Sequence, residues 1–133
     1  MLRNLSAKEV ARNFLLEEVA VMTDEHAPDD GILHIAEIPF ENGTIRFRYA
    51  RILSADGTRW IKHGLFSAHH PNGTLSSEGM YVYGQEDGLW TEYHSNGQMA
   101  ARGHYANGKE GGHWEFWSSD GSPEKGEDYP RPD

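Results

Sequence analysis

Gly88-Leu89-Trp90-Thr91-Glu92-Tyr93-His94-Ser95-Asn96-Gly97 runs on to Gly103-His104-Tyr105-Ala106-Asn107-Gly108-Lys109, and the pattern then starts again as Gly112-His113-Trp114-Glu115-Phe116-Trp117. The step is 24 residues. Gly64, Gly88 and Gly112 keep it, as do Phe66, Trp90 and Trp114, and His69, Tyr93 and Trp117. A turn pair recurs as Asn72-Gly73, Asn96-Gly97 and Asp120-Gly121, and Tyr81, Tyr105 and Tyr129 close the units. Repetition in register at this period marks stacked supersecondary units, none of which buries its apolar face alone.

Each unit reads as a β-hairpin. Asn-Gly favours the positive φ angles of a type I′ turn, so Asn96-Gly97 is expected to join a strand near Trp90–His94 to one near Met99–Tyr105. A second turn, rich in glycine and acid, spans Gly84–Gly88 and again Gly108–Gly112. A lone hairpin is marginal in water. Stacking adds strands and aligns the rings into ladders, with Phe66, Trp90 and Trp114 as one column, Tyr81 and Tyr105 as another, and Tyr93 and Trp117 alongside. The fold class is mainly β: consecutive antiparallel hairpins in one twisted sheet, with one N-terminal α-helix.

Outward from the repeats, the chain reads as one domain over 1–133. Ser6 with Glu9 forms a capping-box signature, and Val10, Ala11, Phe14, Leu15, Val19 and Met22 follow helical spacing. This predicts a helix over 5–22, packed on the sheet or capping its edge. An acidic loop covers 23–31. Lead-in strands cover 32–62, the clearest being Ile45, Phe47 and Tyr49 alternating with Arg46 and Arg48. Asn42-Gly43 and Asp56-Gly57 mark turns there. The repeats occupy 63–129, and 123–133, with Pro123, Pro130 and Pro132, reads as a frayed tail.

Composition narrows the function classes. The 133 residues carry 21 acidic against 12 basic side chains, a net charge of −9, which disfavours nucleic acid and anionic membranes as partners. No cysteine is present, so disulfides and thiolate metal sites are excluded. There is no signal-peptide core and no apolar run long enough for a membrane-spanning helix, which leads to the expectation of a cytoplasmic protein.

Gly-x-Trp-x-x-Tyr-x-x-Asn-Gly at 88–97, followed by Gly103-x-Tyr105-x-Asn107-Gly108-Lys109 and Gly112-x-Trp114-x-x-Trp117, resembles the MORN repeat in its bacterial second variant. The resemblance covers about 56–121. It departs from the pattern in the first unit, where Phe66 and His69 stand for tryptophan and tyrosine. It implies a binding scaffold, and an association with antitoxin components of toxin–antitoxin modules.

Three functions are weighed. The first is a non-catalytic antitoxin or immunity-type protein that binds and occludes a basic toxin or effector. Its contact residues would be the acidic turns Glu86, Asp87 and Glu110, together with Glu92, His94 and Glu115. The second is a scaffold that self-associates, for example as a homodimer, through sheet edges. The third is a metal-dependent enzyme built on His63, His69, His70 and His94. His70 and His94 sit at equivalent positions of adjacent units, but Ser118 holds the next equivalent place. Two imidazoles lack the third ligand a zinc site requires, so the histidines read as exposed repeat positions. Glu92 and His94 share a strand face without a nucleophile or oxyanion loop. No cofactor, metal or catalytic residue is expected.

Overall fold

The structure, a computed structural model, describes residues 33–131. The helix expected over 5–22 and the acidic loop at 23–31 lie outside the described residues. The described chain forms one sheet of eight strands: β1 (His34–Pro39), β2 (Ile45–Leu53), β3 (Trp60–His69), β4 (Leu75–Val82), β5 (Gln85–Tyr93), β6 (Met99–Ala106), β7 (Lys109–Trp117) and β8 (Pro123–Tyr129). Spatial order equals chain order, and every neighbouring pair is antiparallel. The hairpin-repeat reading therefore holds.

The expected frayed tail is corrected. Residues 123–129 are the edge strand β8, with Gly112 opposite Tyr129 and Trp117 opposite Pro123. Proline lacks a backbone donor, but the first residue of an edge strand tolerates that loss. Tyr129 is the tyrosine that closes its repeat, and its ring reaches Trp114 at 6.4 Å.

One face of the sheet is the core. Period-2 alternation places Ala36, Phe47, Tyr49, Phe66, Ala68, Tyr81, Trp90, Tyr105 and Trp114 on it, all buried. The rings do not form two separate columns, although Phe66 and Trp90 of the first expected column meet directly at 5.5 Å. They interlock in one zigzag: Phe66–Tyr81 at 5.3 Å, Tyr81–Trp90 at 5.3 Å, Trp90–Tyr105 at 5.9 Å and Tyr105–Trp114 at 5.0 Å. Trp90 and Trp114 thus meet through Tyr105. All four contacts are edge-on, the arrangement that ring quadrupoles favour. Each indole N–H also finds an acceptor, Trp90 Nε1 donating to the Met80 carbonyl at 3.1 Å and Trp114 Nε1 to that of His104 at 3.2 Å.

Tyr93 and Trp117 do not join this ladder. Each stands three residues beyond its unit's tryptophan, and an odd spacing on a strand points to the opposite face. Trp117 instead lies 5.8 Å from the Arg102 guanidinium carbon. The ladder gains Phe47 and Tyr49 from the lead-in strands, with Phe116 and Tyr129 at its far end.

The tryptophans need a glycine beside them. A Cβ on Gly79 would stand 2.2 Å from Cδ2 of Trp90, and one on Gly103 would stand 2.1 Å from Cδ2 of Trp114. The ring face therefore occupies the volume of the missing side chain. Between β2 and β3 the residue opposite the ring is Tyr49, which stacks on the smaller Phe66 at 6.1 Å.

The turns exchange the roles expected of them. Asn96-Gly97 is not type I′, because only Gly97 has positive φ, at 90°. Gly97 N–H donates to the His94 carbonyl at 2.9 Å and His94 N–H to that of Gln98 at 2.8 Å, the pattern of a type I turn followed by a left-handed glycine bulge. Two-residue turns with both φ positive fall at Tyr83-Gly84 and Asn107-Gly108. The physical reason is an Asx turn: Asn96 Oδ1 accepts the Gln98 N–H at 3.0 Å, so the carboxamide closes the loop without visiting positive φ.

Gly103→Ala should destabilise the fold by about 1–3 kcal/mol, the usual cost of overpacking. Gly97→Ala meets open space but a left-handed φ, and should cost about 1–2 kcal/mol. Urea unfolding separates the causes: adding Trp114→Phe should relieve the first substitution in part and leave the second unchanged.

Candidate binding surface

Lys62, Glu86 and Glu110 hold one repeat position, and the sequence places the two glutamates in a row of acidic turns. The two-residue turns place these residues inside strands instead. Glu86 is 2% exposed, opposite Tyr81 across the β4–β5 pair. Glu110 is half-buried opposite Tyr105, and Lys62 is buried with its Nζ 4.5 Å from the Tyr49 ring centroid. Their backbones join successive units: Gly84 N–H donates to the Lys62 carbonyl at 2.7 Å and Gly108 N–H to that of Glu86 at 3.0 Å. Glu86 is therefore not on an accessible rim. Asp87, one residue on, is exposed opposite Met80 on the outer face.

The remaining candidates are spread out. Glu92 is half-buried opposite Ser77 and Ala101. Glu115 accepts a 2.7 Å hydrogen bond from Arg102 Nη2 across the β6–β7 pair, an exposed ion pair. His94 does not share a site with them. Its Nε2 lies 2.8 Å from the Trp117 carbonyl, and His70 Nε2 lies 2.8 Å from that of Tyr93. A carbonyl only accepts, so both imidazoles donate from Nε2. These histidines are half-buried clamps between units, not the freely exposed positions the sequence suggested. His63 is likewise engaged, its Nδ1 accepting the Tyr83 N–H at 2.9 Å. Among the described residues no three His, Asp or Glu side chains gather as a ligand set.

The clamps share one end of the sheet with the longer turns. Asn72 Nδ2 donates to the Ser95 carbonyl at 2.9 Å and Asn96 Nδ2 to that of Ser119 at 2.6 Å. Each turn is thereby tied to the next one along. In the last, Asp120 takes the place of asparagine, accepting from Ser118 Oγ at 2.6 Å and from the Ser122 N–H at 2.8 Å. Asp56 does the same in the β2–β3 turn, accepting from Ser54 Oγ, Thr58 Oγ1 and the Thr58 N–H. Donors aimed at a carboxylate favour its charged form. The Thr58 and Ser54 hydroxyls thus hold Asp56 at about 2, and Ser118 with Ser122 hold Asp120 at about 2, against an ordinary 3.8.

Two surfaces stay accessible. One is the edge strand β8, where Glu124, Glu127 and Asp128 are all exposed and His113 Nδ1 pairs with Asp128 at 2.7 Å. The prolines of 123–133 hide this edge in the sequence by giving the segment the character of a tail, and only Tyr129 at the repeat step marks it. The other is the outer face of the sheet. It is charged over β6–β7, through Arg102 and Glu115, and mixed over β1–β5, where exposed Ile35, Leu65, Met80 and Leu89 stand among Glu37, Arg48, Glu78 and Asp87.

Comparison with known proteins agrees with the repeat geometry. The family described as the MORN repeat variant matches residues 62–83 and 86–107. These two stretches begin 24 residues apart, each running from the buried charged position of a unit to its two-residue turn. No curated protein and no solved structure matches the chain.

Replacing either clamp, as His70→Ala or His94→Ala, should lower stability by about 1 kcal/mol, the net worth of a typical hydrogen bond. Addition of a chelator should leave the urea midpoint of the parent unchanged.

The lowered aspartate pKa values set an acid limb. Their stabilisation is fully present above the unfolded value near 3.8 and is lost as pH falls towards about 2. Asp56→Asn with Asp120→Asn keeps the acceptor oxygen, as Asn72 and Asn96 do in their own turns. The double variant should therefore flatten the fall in urea midpoint between pH 4 and 2 without unfolding the protein at neutral pH.

Proposed function

We propose that the protein is a non-catalytic, protein-binding repeat module of antitoxin or immunity type, which neutralises a basic toxin or effector by covering it. The observation that carries this reading is the edge strand β8, along which Glu124, Glu127 and Asp128 are exposed against one exposed lysine, Lys125, on a chain of net charge −9. A rigid charged edge steers an oppositely charged partner and raises the encounter rate more than the final affinity. The MORN-type repeats supply the scaffold, and a cysteine-free chain suits a reducing, cytoplasmic setting.

A scaffold that self-associates through its edges is the second reading. The open sheet favours it, since β1 and β8 are the two ends of the strand order and an unpaired edge is a template for another strand. The carboxylates on β8 oppose it for that edge, because two copies would bring like charges together.

The test is co-expression with the product of the neighbouring reading frame, followed by association kinetics. Glu124→Lys with Glu127→Lys should slow association several-fold at low salt, and the difference should shrink above about 0.15 M, where the Debye length falls below about 8 Å. A partner whose association ignores both salt and the reversal would remove β8 from the site. Concentration-dependent self-association with no partner would replace this reading with the scaffold.

A further inference from the structure

One row of side chains crosses the outer face from β1 to β7. Glu37 pairs with Arg48, Arg48 with Ser67, Ser67 with Glu78, Glu78 with Thr91, Thr91 with Arg102 and Arg102 with Glu115. Residues directly opposite on neighbouring strands share a face, so these side chains form a single line. From either end it runs acid, base, hydroxyl, acid, hydroxyl, base, acid. An ion pair lies at each end, Arg48 with Glu37 at 3.7 Å and Arg102 with Glu115 at 2.7 Å, both exposed. The central Glu78 is exposed too, and its neighbours in the row are the hydroxyls of Ser67 and Thr91.

A line that is the same from both ends complements itself when it is reversed and moved by one strand. Reversed without the shift, it sets Glu78 on Glu78, Arg48 on Arg102 and Glu37 on Glu115 of a second copy, all like charges. With the two-fold axis along the strands between β3 and β4, it sets Glu37 against Arg102, Arg48 against Thr91 and Ser67 against Glu78 of the other copy, and the reverse of each. An axis between β4 and β5 also suits the row, but it sets Met80 against Asp87, its neighbour across β4–β5. The axis between β3 and β4 instead sets Leu65 against Met80, which are 71% and 45% exposed. It also brings Asp87 over β2, whose charged side chains are Arg46, Arg48 and Arg51. An arginine carries five donors, so a facing carboxylate adds to the lateral one.

The size suits a dimer. Two twisted sheets pack face to face about 10 Å apart with their strands within about 30° of one another, a gap that glutamate and arginine side chains span from the two sides. The overlap takes in β1–β6. Six strands at about 4.8 Å cover about 29 Å of width, and eight residues of strand about 26 Å of length. The contact is then about 750 Å² a side, close to the roughly 800 Å² per partner of a standard interface.

We propose that two copies of this chain pack outer face to outer face about a two-fold axis between β3 and β4, joined by the self-complementary row from Glu37 to Arg102 with Leu65 and Met80 beside it. β7 and β8 project beyond the overlap, so the β8 edge stays open. The inference is independent of the toxin reading, because it uses neither β8 nor another protein.

The test is sedimentation equilibrium on the full chain and two charge-reversed variants. The parent should dimerise reversibly in the micromolar range or tighter, as interfaces of this area do, and less tightly as salt is added. Arg102→Glu sets Glu37 against a glutamate twice across the axis, and Glu37→Arg sets Arg102 against an arginine twice. Each variant alone should self-associate about tenfold more weakly or worse. An equimolar mixture of the two should recover the dimer, because every reversed charge then meets its opposite, and that recovery also shows that both variants are folded. Glu124→Lys with Glu127→Lys should leave the dimer unchanged. A parent that stays monomeric throughout the micromolar range would overturn the proposal and leave the β8 reading standing. A dimer that both face reversals leave intact, or that the β8 reversal removes, lies at a sheet edge and overturns it as well.

Discussion

In a sheet one layer thick, apolar surface is buried chiefly by the side chains of neighbouring strands, and here that burial runs through the tryptophan–glycine approach. Trp90 fills the space beside Gly79, and Trp114 the space beside Gly103. An indole brought this close removes a large ring from water without a second layer, and it leaves its edge free to receive the tyrosines on either side. The zigzag from Phe66 to Tyr129 follows from repeating that approach. A methyl group at either glycine would lift the ring and break the chain of contacts at its centre.

The hydrogen bonds follow the same logic of dependence on the next unit. The imidazoles of His70 and His94, the carboxamides of Asn72 and Asn96, and the N–H groups of Gly84 and Gly108 all bond to groups 22 or 23 residues away, outside their own turns. Each hairpin completes the polar satisfaction of its neighbour. Stability in such an array is largely a sum of nearest-neighbour terms, so the end strands are where it is thinnest. At the C-terminal end β8 closes the ladder with Tyr129 and presents its carboxylates outward. At the other end β1 presents exposed Ile35 beside the Glu37–Arg48 ion pair on the outer face.

This arrangement separates structure from interaction surface. The core face is filled with rings and with the charged position held by Lys62, Glu86 and Glu110, which the sheet uses internally. Among the described residues the outer face and the edges are the surfaces left accessible. The two differ in chemistry: β8 is mainly acidic, whereas the outer face of β1–β5 mixes exposed apolar side chains with charged ones.

The repeat, its hairpin nature and the ladder members Phe66, Tyr81, Trp90, Tyr105 and Trp114 were legible in the sequence, because a 24-residue step and period-2 alternation are local and additive signals. Tyr93 and Trp117 were placed in the ladder on the strength of the step alone, although their odd spacing from Trp90 and Trp114 turns them to the other face. Glu86 and Glu110 looked like turn residues because glycine and acid cluster around them. Only the backbone, by closing the turn in two residues at Tyr83-Gly84 and Asn107-Gly108, drew them into strands. The histidine clamps and the β8 edge were hidden for a related reason: their partners lie a full unit away, or on a strand that proline disguises. The sequence by itself thus determined the unit, its period and which rings repeat. The tertiary structure decided which face each residue occupies and which charges remain exposed, because those depend on turn length and strand register, and a change of one residue in either exchanges the two faces.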